Sequence, residues 1–508
     1  MLMIIVSIVA LPIVGVIAWL WWFVEHGFYS VDMLFVVAGL YLAGAGFMFC
    51  AARLWKWVQD MRTSILGTAR FAGLREAKEF GLLSRRGVLL GKQGGQYLRF
   101  NGAGHLMTIS RTRGGKGVSA VIPNLLDHKG SVFCIDIKGE NYALTFNERK
   151  KYGNVYAIAP FEKFSAHINP LDFIRLGHNE LDDVALIAEL IVTPSGGDNG
   201  FWEREAKSLL VGLICYVVRH GERKNKNLAE VRRLLTLSPD KLDELLEEMA
   251  VAKEWWIRRT ANTFMQKADK ERSGVISTAQ GHTRFLDSER VQEVTATSDF
   301  SFTALKHEIT SVYLIIPPHQ MAVYKPFMRL MVGLAQACMT QVKLKTQHEV
   351  LFLLDEFPSL GKMPVGGFAY LAGYGVKLWA FTQSIAQLEA VYGKMAQGIL
   401  SNCAVTQMWS VAPADVDTAE RISRTLGEKT VRTFSRSRSS NLPIAALHKN
   451  YSESETRATR RLLTADEILC LPKHTMLLMI ADSRPYLAKR IVYYQDRRFA
   501  GRYGDWQG

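Results

Sequence analysis

Leu106-Met107-Thr108-Ile109-Ser110 is a short, largely apolar run that leads directly into Arg111-Thr112-Arg113-Gly114-Gly115-Lys116-Gly117-Val118, and a helix-compatible stretch follows to Leu126. A strand, a glycine turn and a helix start, in that order, set successive backbone N–H groups around an anion, and the helix dipole adds to the attraction. Lys116 then reaches the terminal phosphates of a nucleotide as a point charge. The spacing departs from Gly-x-x-x-x-Gly-Lys-[Ser/Thr] at both ends. Ser110 takes the first glycine position, and Gly117 stands where a hydroxyl would meet magnesium.

A second run sharpens this reading. His348-Glu349-Val350-Leu351-Phe352-Leu353-Leu354 ends in the adjacent carboxylates Asp355 and Glu356. Two neighbouring acids at a strand's carboxyl end repel each other unless a cation or a task holds them there. In a nucleotide site the first holds magnesium and the second polarises the attacking water. Further on, Val376 to Phe381 ends in Thr382-Gln383-Ser384, a polar tip placed to touch a γ-phosphate or to cap the next helix.

Working outward, short apolar runs of the kind buried in parallel sheets recur at Val132–Asp136, Val155–Ala159 and Val312–Pro317. Between Leu171 and about Phe300 such runs stop, and helical spacing takes over at Leu181–Ile191, Ala206–Val218 and Leu242–Ala250. The expected fold class is α/β: a doubly wound nucleotide-binding sheet at 101–174 and 301–508, interrupted by an all-α insertion at 175–300.

Charge divides the chain of 508 residues further. It has 62 Lys+Arg against 48 Asp+Glu, a net charge of +14, yet residues 1–52 contain no Lys or Arg and only Glu25 and Asp32. The remainder therefore carries +16. Spans of about 2–24 and 33–52 are long and apolar enough to cross a bilayer, so 1–52 is expected to be a transmembrane anchor and 53–100 a juxtamembrane connector. Arg53, Lys56 and Arg62 follow the second span, which puts the body of the chain in the cytoplasm. The six cysteines are scattered, with no metal or disulfide spacing, and read as buried reduced thiols. Two basic stretches stand out. Residues 421–461 hold ten basic side chains and three acids, including Arg432, Arg436 and Arg438 among Ser and Thr, and read as a solvated loop or a nucleic-acid path. The second, Arg219, Arg223, Lys224, Lys226, Arg232 and Arg233, reads as an exposed helix–loop surface of the insertion.

Taken together, these segments resemble the type IV secretion coupling proteins, the TraG-like ATPases of conjugation. The resemblance is carried by Thr112–Val118, Asp136-Ile137-Lys138-Gly139-Glu140, Asn169-Pro170-Leu171, Leu354-Asp355-Glu356-Phe357-Pro358, Gly373-Tyr374-Gly375 and Thr382-Gln383-Ser384, behind two N-terminal spans. It implies a RecA-like P-loop domain with an inserted all-α domain, assembling as a homo-hexamer at the bacterial inner membrane. ATP and magnesium are the implied ligands. By the same resemblance, Thr112, Arg113, Gly114, Gly115, Lys116, Gly117 and Val118 cradle the phosphates and Asp355 supports the metal. Glu356 activates water, and Gln383 senses the γ-phosphate.

The implied partners are relaxase-bound single-stranded DNA and the components of a type IV secretion channel. Three other functions stay open at this stage: a motor of the same family for protein effectors, a double-strand pump of the chromosome-segregation type, and a membrane receptor with conditional ATPase. Ser110 and Arg111 replace the small residue and Pro usual at the start of this loop. Tyr374 stands where some relatives place an arginine finger, which leaves Arg421 and Arg424 as candidates for that role.

Overall fold

The computed structural model describes residues 21, 25, 44, 46–55, 66–193, 200–342, 348–363, 366–438 and 451–506, with side chains at 434–438 and 451–455 excepted. The expected spans at 2–24 and 33–52 fall mainly outside these residues. Among the described residues, no helix is long and apolar enough to cross a membrane.

The chain forms two compact units, Met1–Thr68 with Glu428–Arg460, and Ala69–Gly427 with Arg461–Gly508. The larger unit is built on one eleven-stranded sheet. Its strands are β1 (Val88–Gln93), β2 (Gln96–Phe100), β3 (His105–Ile109), β4 (Ser131–Asp136), β5 (Asn154–Ile158), β6 (Thr310–Ile315), β7 (Val350–Leu354), β8 (Val376–Thr382) and β9 (Cys403–Met408). The smaller unit holds β10 (Glu428–Arg438) and β11 (Tyr451–Arg461, whose last residue falls in the larger unit), and the main sheet closes with β12 (Thr475–Ile480) and β13 (Tyr486–Lys489). Across the main sheet the order is β2-β1-β13-β12-β9-β3-β8-β7-β4-β6-β5.

Side-chain alternation explains the parallel part. Phe133 and Ile135 of β4, Phe352 and Leu354 of β7, and Leu378 and Ala380 of β8 enter one apolar core. Val132, Cys134, Leu351, Leu353, Trp379 and Phe381 from the same strands enter the core on the opposite face. A strand buried on both faces reads as a continuous apolar run, which is why these strands are visible in the sequence. All neighbours from β5 through β9 in the sheet order pair in parallel, whereas β9–β12, β12–β13, β13–β1 and β1–β2 are antiparallel. The sheet is thus mixed, with the expected parallel strands extended on one side by antiparallel ones.

Residues 88–100, expected to be connector, are β1 and β2 of this sheet. Their glycines, Gly91, Gly94 and Gly95, interrupt the apolar pattern, so the strands read as loop.

Among the described residues, helices and no strands lie between β5 and β6, including Glu180–Ile191, Gly200–His220, Leu228–Leu235, Pro239–Ala250, Trp255–Met265 and Asp269–Thr283. Their apolar faces join the first core without a break. Arg329, buried in the helix Lys325–Gln341, donates Nε to the Leu190 carbonyl and Nη2 to the Ile191 carbonyl, each at 2.6 Å. It thereby satisfies the C-terminal carbonyls of the helix Glu180–Ile191.

In the smaller unit, the stretch read as a flexible loop or DNA path supplies β10 and β11, which form a two-stranded sheet. Thr68 bridges Lys429, and the amides of Leu66 and Gly67 donate to Thr430 Oγ1 at 3.1 and 3.0 Å. The alternation of Ser, Thr and Arg that reads as solvated loop is also the pattern of a polar strand. The insertion's basic cluster is largely engaged within the chain. Arg219 pairs with Glu180, Arg232 with Asp287 and Arg233 with Glu230, while Lys226 Nζ donates to the Val218 carbonyl. All six cysteines are unpaired, and Cys50 and Cys470 are exposed rather than buried.

Candidate nucleotide site

Four adjacent parallel strands, β3-β8-β7-β4, end at one edge of the sheet, and the phosphate-loop, metal and base candidates sit at that edge. A crevice at the carboxyl ends of parallel strands is where this architecture binds ligands. β3 delivers the glycine loop, β8 delivers Gln383, β7 delivers Asp355 and Glu356, and β4 delivers Asp136.

The loop's shape follows from its residues. Gly115 has φ +85° and Arg113 φ +58°, both left-handed. A Cβ on Gly114 would collide with the Ser110 hydroxyl and the Arg111 carbonyl. Glycine is therefore required at 114 by close approach and at 115 by backbone conformation. Gly117–Val121 is wound as a π-helix before the α-helix Ile122–Asp127. Pro123 has no N–H to give the Ser119 carbonyl, so the first turn cannot close in the α pattern there.

Lys116 is 8% exposed and forms a 2.9 Å ion pair from Nζ to Glu356 Oε1. Gln383 Nε2 donates to Glu356 Oε2 at 3.1 Å, and Thr112 Oγ1 donates to Gln383 Oε1 at 2.8 Å. The chain Thr112–Gln383–Glu356–Lys116 closes a ring of polar contacts that starts and ends in the glycine loop. Glu356 holds a left-handed backbone, φ +48° and ψ +43°, which is costly for a non-glycine residue. Its amide donates to Asp355 Oδ1 at 3.0 Å.

Asp355 is half-buried, and burial pushes its pKa up to about 6, helped by Glu356 and Asp136 and opposed by Lys116. Asp136 is also raised to about 6 by burial, against amide donors that include Tyr142 at 2.8 Å. Two carboxylates that resist ionisation, beside one paired lysine, form a donor set that fits a divalent cation completed by phosphate oxygens.

Sequence reading missed Arg490, Trp409 and Ser119. Trp409, just past β9, donates Nε1 to the Gly114 carbonyl at 2.9 Å, and Arg490, just past β13, donates Nη1 to the same oxygen. The Arg490 guanidinium lies 5.7 Å from the Trp409 ring centroid. A Cβ on Gly115 would face Arg490 Nη1 at 3.2 Å and Ser119 Oγ at 3.8 Å. Ser110 Oγ, Ser119 Oγ and Arg490 Nε are buried without hydrogen-bond partners, and all three flank this loop. Unpaired buried polar atoms are costly, so their grouping here marks a place built to receive a polar ligand. No sequence spacing foretells Arg490, because it arrives from the last strand, 374 positions after Lys116.

Other candidates lie elsewhere. Tyr374 precedes β8, at the opposite end of that strand from Gln383, with the Lys306 ammonium 5.5 Å from its ring centroid. Arg421 and Arg424 sit on the helix Val416–Leu426 and pair with Glu389 and Glu420. Asn169 is structural, since its Nδ2 donates to the Lys226 carbonyl at 2.8 Å and its Oδ1 accepts from the Leu171 amide at 3.0 Å.

The conjugal transfer protein TraG of Escherichia coli is 31% identical over 498 residues, spanning 86% of this chain and 77% of TraG. VirD4 of Agrobacterium fabrum is 29% identical over 454 residues, spanning 85% of this chain and 66% of VirD4. The unbound bacterial conjugative coupling protein TrwBdeltaN70 has a TM-score of 0.66 at 16% identity, covering 83% of this chain and 92% of that one. TrwB in complex with ADP and Mg2+ gives 0.65 at 16% identity, covering 84% and 94%. At that identity the likeness shows a shared fold, and a large mixed sheet of this kind fits a RecA-like domain. Residues 70–506 match the family described as type IV secretory system conjugative DNA transfer, and the chain belongs to that family.

Proposed function

We propose that this chain is an inner-membrane ATP-hydrolysing coupling protein that receives relaxase-bound single-stranded DNA and passes it to a type IV secretion channel. Membership of the conjugative DNA transfer family supports the role. The observation that carries the enzymatic part is the Lys116–Glu356–Gln383–Thr112 ring, which ties a phosphate loop to a candidate base through one side chain. The reading includes two N-terminal spans within 1–52, the bulk of the chain in the cytoplasm, an all-α insertion at 175–300 and a working homo-hexamer.

In this reading the glycine loop Thr112–Val118 wraps the phosphates, and Lys116 exchanges Glu356 for a terminal phosphate oxygen. Glu356, released from its lysine, is then free to accept a proton from water. Gln383 stays bonded to Glu356 and links that carboxylate to Thr112 of the loop, so it reports phosphate occupancy to β8. Asp355, with Asp136 behind it, would hold magnesium, which when bound neutralises phosphate charge.

The test is ATP hydrolysis by the purified full chain, with and without single-stranded DNA. Turnover stimulated by the strand and abolished by Lys116→Ala is expected, together with loss of DNA transfer in cells. Turnover or transfer undiminished in Lys116→Ala would overturn the mechanism.

A further inference from the structure

The candidate nucleotide site uses the carboxyl ends of the parallel strands, and their amino ends open on a separate feature. A cavity of about 1070 Å³ is lined by His128, Lys129 and Gly130, which lead into β4, by His348 and Glu349, which lead into β7, and by Gly87 and Arg99 of the β1–β2 hairpin. Strands of five or six residues span roughly 17–20 Å, so this cavity and the glycine loop receive different ligands.

Charge in the cavity is one-sided. Six cationic side chains line it, Arg85, Arg86, Arg99, Lys129, Arg498 and Arg502, against the carboxylates of Asp127 and Glu349. Asp127 is shared, taking Arg99 Nη2 on Oδ2 at 2.6 Å and Arg498 Nε on Oδ1 at 2.7 Å. Arg502 Nε turns to Glu148 at 3.0 Å, and Glu349 Oε2 is held by Lys377. Arg85, Arg86 and Lys129 are exposed and form no ion pair among the described residues. Behind them Arg149 is fully buried, and its bonds go to neutral acceptors: the Gly130 carbonyl at 2.6 Å, the His128 carbonyl, and Ser311 Oγ at 2.8 Å. Cations in excess around a concavity focus the field and draw an anion into it. Glu349 Oε1 is buried without a hydrogen-bond partner, an acceptor left for a hydroxyl of the ligand.

The rings at hand are already engaged. That of Tyr97 carries the Lys92 ammonium at 4.5 Å and the Arg498 guanidinium at 5.2 Å from its centroid, and that of Tyr152 carries Arg149 at 5.3 Å. A nucleic-acid strand is held by phosphate contacts together with stacked bases, whereas an isolated phosphate group needs guanidinium forks alone.

We propose that this cavity is a second phosphate site, taking a ligand that carries one or more phosphate groups at the end of the sheet remote from the glycine loop. Two sources supply such a group. One is the headgroup of an anionic phospholipid, since Arg85 and Arg86 lie on the segment that leads from the proposed anchor into the sheet, and basic pockets so placed take headgroups. The other is a soluble oligophosphate. The site stands whether or not the glycine loop hydrolyses ATP.

Equilibrium binding to the full chain in neutral detergent tests it, in the Lys116→Ala background so that phosphate held by the glycine loop is not counted. The probes are inorganic tripolyphosphate, short-chain phosphatidylglycerol, phosphatidylcholine of the same chain length, and oligothymidylate. A triple variant, Arg85→Gln with Arg86→Gln and Lys129→Gln, is expected to bind the phosphate probe about 100-fold more weakly, about fivefold for each charge removed. A loss confined to phosphatidylglycerol assigns the lipid, a loss confined to tripolyphosphate assigns the soluble ligand, and a loss for both supports the shared phosphate chemistry. Arg85→Lys with Arg86→Lys keeps the charge and is expected to bind within about threefold of its background. Unchanged affinity in the triple variant would overturn the proposal, as would a background chain that binds neither phosphate probe, or phosphatidylcholine bound as tightly as phosphatidylglycerol. A loss confined to oligothymidylate also overturns it, since the cavity would then serve nucleic acid. An equal loss in the charge-keeping variant overturns it too, because the arginines would then hold the fold and not the ligand.

Discussion

One sheet contains two differently built halves. The parallel strands β5-β6-β4-β7-β8-β3 are buried on both faces, and their carboxyl ends converge on one edge, where Lys116, Asp355, Glu356 and Gln383 meet. The strands β12-β13-β1-β2 pair antiparallel, and among them β13 alternates, with Tyr486 and Ala488 buried and Leu487 and Lys489 exposed. They add no carboxylate to the site, yet Arg490 comes from this half, and Trp409 comes from β9 at the seam.

A buried relay crosses that seam. Trp379 Nε1 donates to Thr108 Oγ1 at 2.8 Å, Thr108 Oγ1 to Gln407 Oε1 at 3.1 Å, and Gln407 Nε2 to the Leu90 carbonyl at 2.9 Å. The difference teaches a division of labour: the parallel half gathers Lys116, Asp355, Glu356 and Gln383 at one edge, and the seam and the antiparallel half hold the glycine loop through Trp409 and Arg490.

The comparison is sharpest where one change should move turnover alone. Glu356→Gln removes a carboxylate of the parallel half and is expected to cut kcat by about 100- to 1000-fold with ATP affinity retained, the scale of losing a positioned base. Steady-state kinetics with parallel ATP-binding measurements check this, and full turnover would reassign the base. Trp409→Phe tests the other half. It deletes one donor to Gly114 while keeping most of the ring, and is expected to raise KM for ATP by about fivefold with kcat nearly unchanged, the size of one lost neutral hydrogen bond. A collapse of kcat at constant KM would break the division.

The smallest effect is thermal. An acid whose folded pKa lies above its unfolded value costs stability once pH rises past the unfolded value, and the full cost is present above the folded one. For Asp355, raised by burial to about 6, that window runs from about pH 4 to 6. Asp355→Asn is therefore expected to melt about 2 °C above the ligand-free parent at pH 7.5, from roughly 2 kcal/mol of relieved charge burial. The gap should shrink at pH 5. A gap equal at both pH values would mean that Asp355 is not a strained carboxylate.

Legibility in the sequence tracks the same division. Val350–Leu354 and Val376–Phe381 stand out because both faces of each strand are apolar, and their polar tips mark the site. β1 and β2 do not stand out, because Gly91 interrupts the first and Gly94-Gly95 separates the two, and β13 does not, because its apolar residues are buried on one face only. Lys116 and Glu356 can be picked out, since each sits at the tip of an apolar run. Arg490 and Trp409 cannot, because their nearness to Gly114 is created by the order of strands in the sheet and by no local spacing. Asp136 lies between. Its segment carries the family resemblance, but its burial beside Asp355 emerges only when β4 and β7 pair.

Glu356 deserves a last look as a target of selection. Its left-handed backbone is one that Gly adopts freely and Asn tolerates. A laboratory screen that rewards heat resistance alone would therefore enrich Glu356→Gly and Glu356→Asn, variants that on the proposed mechanism lack the base. On the proposed mechanism, heat resistance and turnover therefore pull this position in opposite directions.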